Sequence, residues 1–550
     1  MNVQQKLILF LESLDYSAAV ISPGSRNAPI IQALTSLGKP NYSIIDERSA
    51  GFVALGMAKA LGKPVVLCCT SGTALLNYYP AIAEAFYARV PLVILSADRP
   101  PEKIDSWDGQ AIRQNNVFQN HRRAEFEFGT EIQISEIERL TRLVNAKIKE
   151  SIPGPIHINV PIREPFYNVL KTTSSSNSLK VKASSIERKV VSLRNLQQKL
   201  GLSFNGENVL VFNGMQDAEN VELKVDCLAW QTIQLSDICS NQTSEIDGWD
   251  AFLFNYIKTN FKDLEGLYPD VLITTGNTTV SKGLKMFLQK CKPKKHYHIS
   301  AYNEVGQMFE TKPMVVNPNT ILLEDGKPLI GMAQWNVFKQ SWTANVQEFN
   351  MRLRDLEWNK FNEFTAIKTV LESIPNNSIV HLANSMAVRY VSYLKEIADA
   401  KGLIIKSNRG TSGIDGCNST ALGEALVQKD TLYLITGDVA FLYDINALLN
   451  TQLPSNLKII VLNNNGGGIF ELINGPDVMG SAFFYQTTHQ NVDIEKIVEG
   501  YGVAYCKASK LRQIERRLEC LQEDRKLTVL EIITERPKNK LFYSSFKNII

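Results

Sequence analysis

Short apolar runs alternate with helical patterns over the first 170 residues of the chain. Segments with the apolar spacing of an amphipathic helix, residues 49–61 and 74–88, lie between runs rich in Val and Ile. Each of these runs is bounded by Pro, Gly, Asp or Asn, and each predicts a strand: residues 18–22, 43–45, 64–70, 91–96 and 156–160. A repeated strand–helix–strand order predicts a parallel sheet covered by helices.

The pattern resumes with less regularity after a polar stretch at residues 171–186, which we interpret as a linker. The strands predicted next are residues 208–212, 271–275 and 296–299. A long helix-like segment, residues 341–371, then leads to a further set of predicted strands: residues 378–382, 403–405, 431–436, 458–462 and 527–533. We therefore predict an α/β protein of three doubly wound parallel-sheet domains, spanning residues 1–170, 187–345 and 346–550.

The composition of the 550 residues is that of an ordinary globular protein, with 44% hydrophobic and 21% charged residues. The net charge is only +3, so bulk charge does not favour nucleic acid or a membrane surface as a partner. The eight cysteines include no CxxC pair, which is typical of reduced thiols. The first 14 residues resemble an amphipathic helix rather than a signal peptide, and no apolar run approaches the ~18 residues of a membrane span. We predict a soluble, cytoplasmic protein without an integral membrane segment.

The candidate chemistry lies in the third domain, at the ends of two neighbouring predicted strands. One strand runs into Gly437, Asp438 and Val439, and the next runs into three asparagines and three glycines. A crossover between parallel strands brings their carboxyl ends to one edge of the sheet, so Asp438 and Asn464 should converge. A carboxylate and an amide oxygen suit Mg²⁺, and glycines let the backbone approach a diphosphate. Taken singly, each piece is also a common turn sequence.

The spacing of Gly437-Asp438 and Asn463-Asn464 resembles the cofactor motif of thiamine-diphosphate enzymes. The resemblance implies that thiamine diphosphate binds here with Mg²⁺, or alternatively Mn²⁺, held by Asp438, Asn464 and the carbonyl of Gly466. Val439 stands where this family often has glycine, a difference that should matter little at a position that contributes backbone. The other cofactor-binding residues that the resemblance implies are Ser385, Arg409, Gly410, Gly413, Ile414, Gly437 and Gly467.

Glu47 is the candidate catalytic acid of the first domain. It follows a predicted strand and precedes a helix rich in small residues. In thiamine-diphosphate enzymes an acid beside the aminopyrimidine ring nitrogen favours the imino form of the exocyclic amine, which removes the C2 proton of the thiazolium. A carboxyl group in an apolar site has a raised pKa and can share a proton with that nitrogen. Considered alone, Asp46 and Glu47 would merely cap the helix and favour its dipole.

Further motifs occur in order along the chain, at residues 21–27, 70–74, 97–101, 110–114, 384–389, 408–416 and 463–470. They resemble one branch of that superfamily, the 2-succinyl-5-enolpyruvyl-6-hydroxy-3-cyclohexene-1-carboxylate synthases of menaquinone biosynthesis. The central domain matches only weakly, mainly through residues 280–282. The resemblance implies decarboxylation of 2-oxoglutarate and addition of the succinyl carbanion equivalent to isochorismate, by a homodimer or by a tetramer of paired dimers.

Both implied substrates are dicarboxylates, so the site must pair up to four carboxylates in a partly dehydrated cleft. Guanidinium groups suit this task because they bind carboxylates bidentately and stay charged when buried. The implied substrate residues lie in the matching motifs: Ser25, Arg26, Arg99, Gln110, Lys282, Ser385, Arg389, Arg409, Ile469 and Phe470. An isolated arginine is more often part of a surface salt bridge, and the role of Arg113 stays open.

Two other functions also stay open. Another thiamine-diphosphate enzyme, such as an acetohydroxyacid synthase or a 2-oxoacid decarboxylase, would share Glu47, Asp438 and Asn464 but would not need so many carboxylate-binding arginines. A non-enzymatic phosphate- or dinucleotide-binding protein on the same scaffold has little support, because no GxGxxG follows a strand and no GxxxxGK[ST] occurs.

Overall fold

The computed structural model describes residues 2–129, 131–150, 152–164, 189–200, 206–216, 221–224, 231–257, 261–302, 305–320, 336–472 and 476–549. In these ranges the chain forms three parallel sheets of six, five and six strands, and a separate pair of short strands. Neighbouring residues of one central strand fall in different cores, with Leu67 on one face of the first sheet and Cys68 on the other. Both faces are therefore covered, and the predicted doubly wound α/β class is confirmed.

The first sheet has six strands: β1 Ala18–Ile21, β2 Asn41–Ser43, β3 Val65–Cys69, β4 Leu92–Asp98, β5 Ala124–Glu127 and β6 Ile156–Pro161. Its helices are α1 Val3–Glu12, α2 Ala28–Ser36, α3 Glu47–Leu61, α4 Thr73–Asn77, α5 Tyr79–Tyr87 and α6 Ile134–Ile148. The strand predicted at residues 43–45 is wrong beyond Ser43, and Ile45 is largely exposed. The helix predicted at residues 74–88 is divided at Tyr78, where α5 begins a new first turn with Pro80.

The described residues of the central domain form seven strands: β7 Lys189–Ser192, β8 Asn208–Asn213, β9 Val221–Lys224, β10 Gln231–Ser236, β11 Val271–Thr275, β12 Lys295–Ile299 and β13 Met314–Val316. Five of them form a parallel sheet in the order β10-β8-β11-β12-β13, and β7 pairs with β9. Its helices are α7 Leu193–Leu200, α8 Trp249–Tyr256, α9 Lys282–Cys291 and α10 Val337–Arg354. The predicted linker at residues 171–186 lies outside the described residues.

The helix α10 packs on the central sheet rather than on the third. Its buried Trp342 contacts the ring of Phe252, and its capping residue Asn336 donates a hydrogen bond to the carbonyl of Thr232 on β10. The helical segment predicted at residues 341–371 is broken after Arg354, and Asn362 caps a new helix. We therefore propose that the third domain begins at this break and not at residue 346.

The third sheet has six strands: β14 Ile379–Leu382, β15 Ile404–Ser407, β16 Leu432–Gly437, β17 Leu457–Asn463, β18 Ala504–Ala508 and β19 Thr528–Ile533. Its helices are α11 Glu363–Ser373, α12 Met386–Tyr393, α13 Lys395–Ala400, α14 Cys417–Val427, α15 Asp438–Tyr443, α16 Ile469–Leu472, α17 Phe483–Thr487, α18 Ile494–Gly500, α19 Leu511–Glu523 and α20 Arg536–Lys547. A 3₁₀ helix, Ile445–Leu449, follows α15.

The first and third sheets share one topology. The first has the order β2-β1-β3-β4-β6-β5, and the third has the equivalent order β15-β14-β16-β17-β19-β18. In such sheets the strand order reverses beside the first strand, and the crevice at the carboxyl ends of the strands at this point binds ligands. The loops after β14 and β16 lie at this crevice in the third sheet. None of the helices in the described ranges combines the length and hydropathy that crossing a membrane requires.

The first and third domains of the chain meet through α3 and α14. A Cβ on Gly56 of α3 would lie 2.0 Å from the carbonyl oxygen of Thr420, and one on Gly423 of α14 would lie 2.1 Å from that of Val53. The two helices can approach this closely only because glycine carries no side chain at either contact. At the amino end of α3, Asp46 accepts a hydrogen bond of 2.7 Å from the side chain of Asn446.

Replacing Gly56 with alanine should destabilise the protein by about 1–3 kcal/mol, because the new methyl group must displace backbone and not a flexible side chain. Thermal unfolding measures the effect as a lowered Tm. Gly500→Ala is the matched control, since its new Cβ at the end of α18 would meet open space. An equal Tm for Gly56→Ala and Gly500→Ala would contradict the close contact between α3 and α14.

Candidate functional site

A cavity of about 160 Å³ lies at the carboxyl ends of β14, β16 and β17. The last two strands pair in parallel up to Gly437 and Leu462, so the residues that follow them lie at the same edge. Asp438 and Asn464 both line the cavity, as the strand-end argument predicts. Other predicted site residues that line it are Ser385, Ile414, Gly437, Val439, Gly466, Gly467, Ile469 and Phe470.

Asp438 is almost fully buried and is surrounded by neutral donors. Its Oδ2 accepts hydrogen bonds from the backbone N–H of Gly466, at 2.7 Å, and from Nε2 of Gln490, at 2.9 Å. Its Oδ1 accepts the backbone N–H of Val439 at 2.8 Å. Burial raises the pKa of Asp438, and these hydrogen bonds partly oppose the shift because they favour the ionised form. The carboxylate therefore has a fixed orientation toward the loop after β17.

Asn464 presents a side-chain oxygen without a partner among the described residues. Its Nδ2 donates to Oε1 of Glu363 at 3.3 Å, which orients the amide. Arg536 holds the backbone of the same loop, since its Nε donates to the carbonyl of Asn464 at 2.8 Å and its Nη2 to that of Asn465 at 2.6 Å. A buried oxygen left without a donor costs free energy, and a bound cation would remove this cost.

Gly466 must be glycine at its place in this loop. Its φ is +131°, and a Cβ would lie 2.3 Å from the carbonyl oxygen of Thr488. Its N–H donates to Asp438, and its carbonyl accepts the N–H of Gly468 at 2.8 Å. A carbonyl oxygen has two lone pairs, so that of Gly466 can accept a second partner.

Glu363, Gln490 and Arg536 belong to this site although the sequence motifs do not include them. Burial, and then the charge of Asp438, raise the pKa of Glu363 to about 8, so it is protonated at neutral pH. Arg536 shortly follows β19, and applying the strand-end argument to that strand would have found it. Glu363 and Gln490 come from α11 and from the segment after α17, which carry no recognisable motif.

The loops after β14 and β15 hold each other through hydrogen bonds. Asn384 donates from Nδ2 to the carbonyls of Asn408, at 2.7 Å, and Gly413, at 2.5 Å, and accepts Nη1 of Arg409 at 2.8 Å. Ser385 has a φ of +79°, an unfavourable conformation for a residue with a side chain. Such strain persists only where the surroundings impose it, and it is common at binding sites.

Two arginines reach these loops without a carboxylate partner in the part of the chain that the structure describes. Nη1 of Arg389 donates to the carbonyl of Ser385 at 2.5 Å, and Nε of Arg409 is buried without a hydrogen bond to any described residue. Arg409 also lines a second cavity of about 480 Å³, at the junction of the three domains. That volume is in the range of small-molecule sites.

A carboxylate from the first domain holds the loop that carries Arg409 and Ile414. The buried Glu84 of α5 accepts the N–H groups of Gly410, at 2.8 Å, and Thr411, at 2.6 Å, together with the hydroxyl of Thr411 at 2.8 Å. Ile414 itself packs on the small side chains of the third domain at the cavity. The loop is therefore positioned from both domains.

A buried ionic cluster lies beneath the same loops. Glu424 of α14 accepts hydrogen bonds from Nζ of Lys406 on β15, at 2.5 Å, and from Nε2 of His381 on β14, at 2.8 Å. Burial alone would raise the pKa of Glu424, but the charge of Lys406 and these hydrogen bonds outweigh it and lower the pKa to about 2. Burial lowers the pKa of His381, which is therefore neutral near pH 7. The cluster connects α14 to two strands that lead into the site.

The other predicted site residues lie apart from the cavity, most of them at the carboxyl edge of the first sheet. Glu47 is the first residue of α3 and is half-buried. Its Oε2 accepts a hydrogen bond of 3.4 Å from Nδ2 of Asn77. Arg26 is buried and hydrogen-bonds the carbonyl of Ile162, while Arg99 hydrogen-bonds that of Gly109. Ser25 and Gln110 on the same edge are exposed, and so is Lys282 at the start of α9 in the central domain. The described lining of the 160 Å³ cavity contains no residue of the first domain.

Comparison with known families gives two matches. Residues 1–124 match the thiamine pyrophosphate enzyme, N-terminal TPP binding domain, and residues 375–532 match the thiamine pyrophosphate enzyme, C-terminal TPP binding domain. The first match covers strands β1 to β4 of the first sheet, and the second covers the third sheet up to the last residues of β19. Asp438 and Asn464 lie within the second match.

Similar proteins match nearly the whole chain. A 2-succinyl-5-enolpyruvyl-6-hydroxy-3-cyclohexene-1-carboxylate synthase of Flavobacterium psychrophilum is 37% identical over 549 residues, covering 96% of each chain. Proteins of the same name from Flavobacterium johnsoniae and Cytophaga hutchinsonii are each 36% identical, covering 96% of this chain and 95% and 96% of their own. The similarity therefore includes the central domain.

Removing the carboxylate of Glu84 should release the loop of residues 408–416. In Glu84→Ala, two backbone N–H groups and one hydroxyl lose their acceptor, which should cost about 2–3 kcal/mol in the free energy of unfolding. Denaturant unfolding measures the loss, and hydrogen exchange should become faster at Gly410 and Thr411.

Glu138→Ala on the exposed side of α6 is the matched control and should change stability by less than about 0.5 kcal/mol. If exchange in the loop is equally slow in Glu84→Ala and in the control, the loop does not depend on Glu84.

Proposed function

We propose a reaction for this chain from the family to which it belongs, the 2-succinyl-5-enolpyruvyl-6-hydroxy-3-cyclohexene-1-carboxylate synthases, which are thiamine-diphosphate enzymes. The chain decarboxylates 2-oxoglutarate and adds the succinyl group to isochorismate. The single observation that carries the assignment to a reaction on dicarboxylates is the pair of arginines beside the 160 Å³ cavity, Arg389 and Arg409. Neither forms an ion pair with a described carboxylate, and both lie beside the loops that line the cavity. Two uncompensated guanidinium groups favour anionic substrates.

The residues of the cavity fit thiamine diphosphate and Mg²⁺, with Mn²⁺ as an alternative ion. The carboxylate of Asp438, the unpartnered Oδ1 of Asn464 and the second lone pair of the Gly466 carbonyl supply three hard oxygen ligands. Protonated Glu363 would keep the Asn464 oxygen aimed at the ion, as outer-shell groups of metal sites do. When bound, thiamine diphosphate supplies a nucleophilic carbon for the 2-oxoacid and takes up the electron pair that decarboxylation releases.

The chain's own groups then bind, orient and exchange protons. Ile414, packed against small side chains, would support the cofactor, and Gly410, Gly413 and Gly467 would contact it through their backbone. Glu47 would hold the proton at the aminopyrimidine ring nitrogen. Arg389, Arg409 and Ser385 would bind substrate carboxylates near the cofactor, beside the apolar surface of Ile469 and Phe470. The more distant part of the substrate site would consist of Ser25, Arg26, Arg99, Gln110 and Lys282.

We propose further that two chains build each site, in a homodimer or a tetramer of dimers. Glu47 and the cavity with Asp438 belong to different sheets of one chain, and the described lining of the cavity contains no first-domain residue. A twofold axis would bring the first domain of one chain to the third domain of its partner and create two equivalent sites. A cytoplasmic location stays a prediction of the sequence.

Carbon dioxide release from 2-oxoglutarate tests the reaction. We expect release that depends on thiamine diphosphate and Mg²⁺ and that rises when isochorismate is added. Arg409→Ala should lower kcat/KM by about 10- to 100-fold, since a charge-assisted hydrogen bond to a carboxylate is lost. Release from pyruvate instead of 2-oxoglutarate, without any effect of isochorismate, would favour the alternative acetohydroxyacid synthase or decarboxylase.

Mixing two inactive variants tests the shared site. Glu47→Gln removes the acid, and Asp438→Ala removes the metal anchor, so each homodimer should be inactive. A heterodimer of the two contains one doubly damaged site and one intact site, and should regain about half of the wild-type activity per dimer. Heterodimers that form but stay inactive would mean that each chain builds its own site.

A further inference from the structure

A third cation lies close to Arg389 and Arg409. Lys285 on α9 is partly buried, and burial together with the charges of Arg409 and Arg389 lowers its pKa. It forms no hydrogen bond or ion pair through its ammonium group with the residues that the structure describes. The three side chains come from two domains, Lys285 from the central domain and both arginines from the third.

Asp250 explains why these cations come together. The hydroxyl of Ser281, which caps α9, donates to one oxygen of this buried carboxylate, and that of Ser392 on α12 donates to the other at 2.5 Å. Lys285 lies four residues after Ser281 on one helix, and Arg389 lies three residues before Ser392 on the other. Residues three or four apart share a helix face, so the bridge that joins the two serines also brings the two cations together.

No carboxylate in the described structure forms an ion pair with this cluster, although the charge of Asp237 offsets part of the repulsion at Lys285. Asp237 is near enough to raise the pKa of Lys285, but its carboxylate already accepts the hydroxyl of Thr279 and the N–H groups of Cys239 and Val280. Three like charges that are partly withdrawn from water repel one another, and they lack the solvation that would offset this repulsion. Such an arrangement is stable when an anionic ligand binds between them.

We propose that Lys285 is a third carboxylate-binding residue of the substrate cleft, completing the set of Arg389 and Arg409, and that it is the cation which the central domain contributes beside these two arginines. The inference rests on the proposed function, because the anion it takes is a carboxylate of one of the two substrates. Lys282, one turn earlier, is exposed at the first residue of α9. Lys285 differs from Lys282 in its position on the helix: it lies on the face of Ser281, which the bridge through Asp250 holds against the third domain.

The test compares Lys285→Ala and Lys285→Arg in the enzyme loaded with thiamine diphosphate and Mg²⁺. Lys285→Ala should raise the KM for 2-oxoglutarate or for isochorismate by about 10- to 100-fold, with kcat within about threefold of wild type. Lys285→Arg should keep the KM within about threefold, because it keeps the positive charge and can still donate hydrogen bonds to a carboxylate. Lys290→Ala, which removes an equal charge from the exposed end of α9, should behave as wild type.

A second measurement separates a binding role from a structural one. Without substrate, Lys285→Ala should have a Tm equal to or above that of the wild type, because it removes repulsion between like charges. Calorimetric titration with succinate, a dicarboxylate that cannot be decarboxylated, should give at least tenfold weaker binding to Lys285→Ala than to Lys290→Ala.

Unchanged KM values and unchanged succinate binding in Lys285→Ala would overturn the inference, as would a lowered Tm accompanied by equal kinetic defects in the Ala and Arg variants. Failure of the proposed function gives a different result. In that case wild-type enzyme would not convert the two substrates, whereas dependence of succinate binding on Lys285 would still support the role of this residue.

Discussion

Two glycines allow the backbones of α3 and α14 to touch, and this contact determines how the first domain lies on the third. Because Gly56 and Gly423 carry no side chains, each helix packs directly against the main chain of the other. α14 begins directly after the loop that carries Arg409 and Ile414, so the loop depends on the position of α3 and its neighbours. The carboxylate of Glu84, from the helix beside α3, then binds the same loop by its backbone. A contact far from any reacting atom thus decides the shape of the cavity.

Buried and half-buried charges near the site are of two kinds, which differ in whether they are paired. Beneath the loops, Glu424 accepts hydrogen bonds from Lys406 and from neutral His381. These contacts favour its ionised form and therefore lower its pKa. The cations above the loops, Arg389 and Arg409, have carbonyl or amide partners but no described carboxylate. Leaving charge unpaired in this way lowers the stability of the free protein, and a bound anion recovers the loss. Paired charges support the scaffold, and unpaired ones support binding.

The sequence predicted the interior of each sheet better than its edges. Strands such as β3, β11 and β17 are buried on both faces and appear as continuous apolar runs. The missed strands of the large sheets are β5, β10, β13 and β18, and each is an edge strand. An edge strand has one neighbour and is more exposed, so polar residues such as Glu125 and Glu127 of β5 are tolerated there. Apolar periodicity therefore carries little information about them.

The sequence by itself determined the α/β class and the convergence of Asp438 with Asn464, because parallel strands joined by crossovers end at one edge. The family resemblance added the cofactor, through motifs that are local in the chain. Only the tertiary structure decided which groups complete the site. Glu363 and Arg536 lie about 100 and 70 residues from Asn464 along the chain, yet both contact it. Arg536 follows a strand end that the sequence predicts, but the position of Glu363 depends on how α11 packs, and no local pattern of residues encodes that.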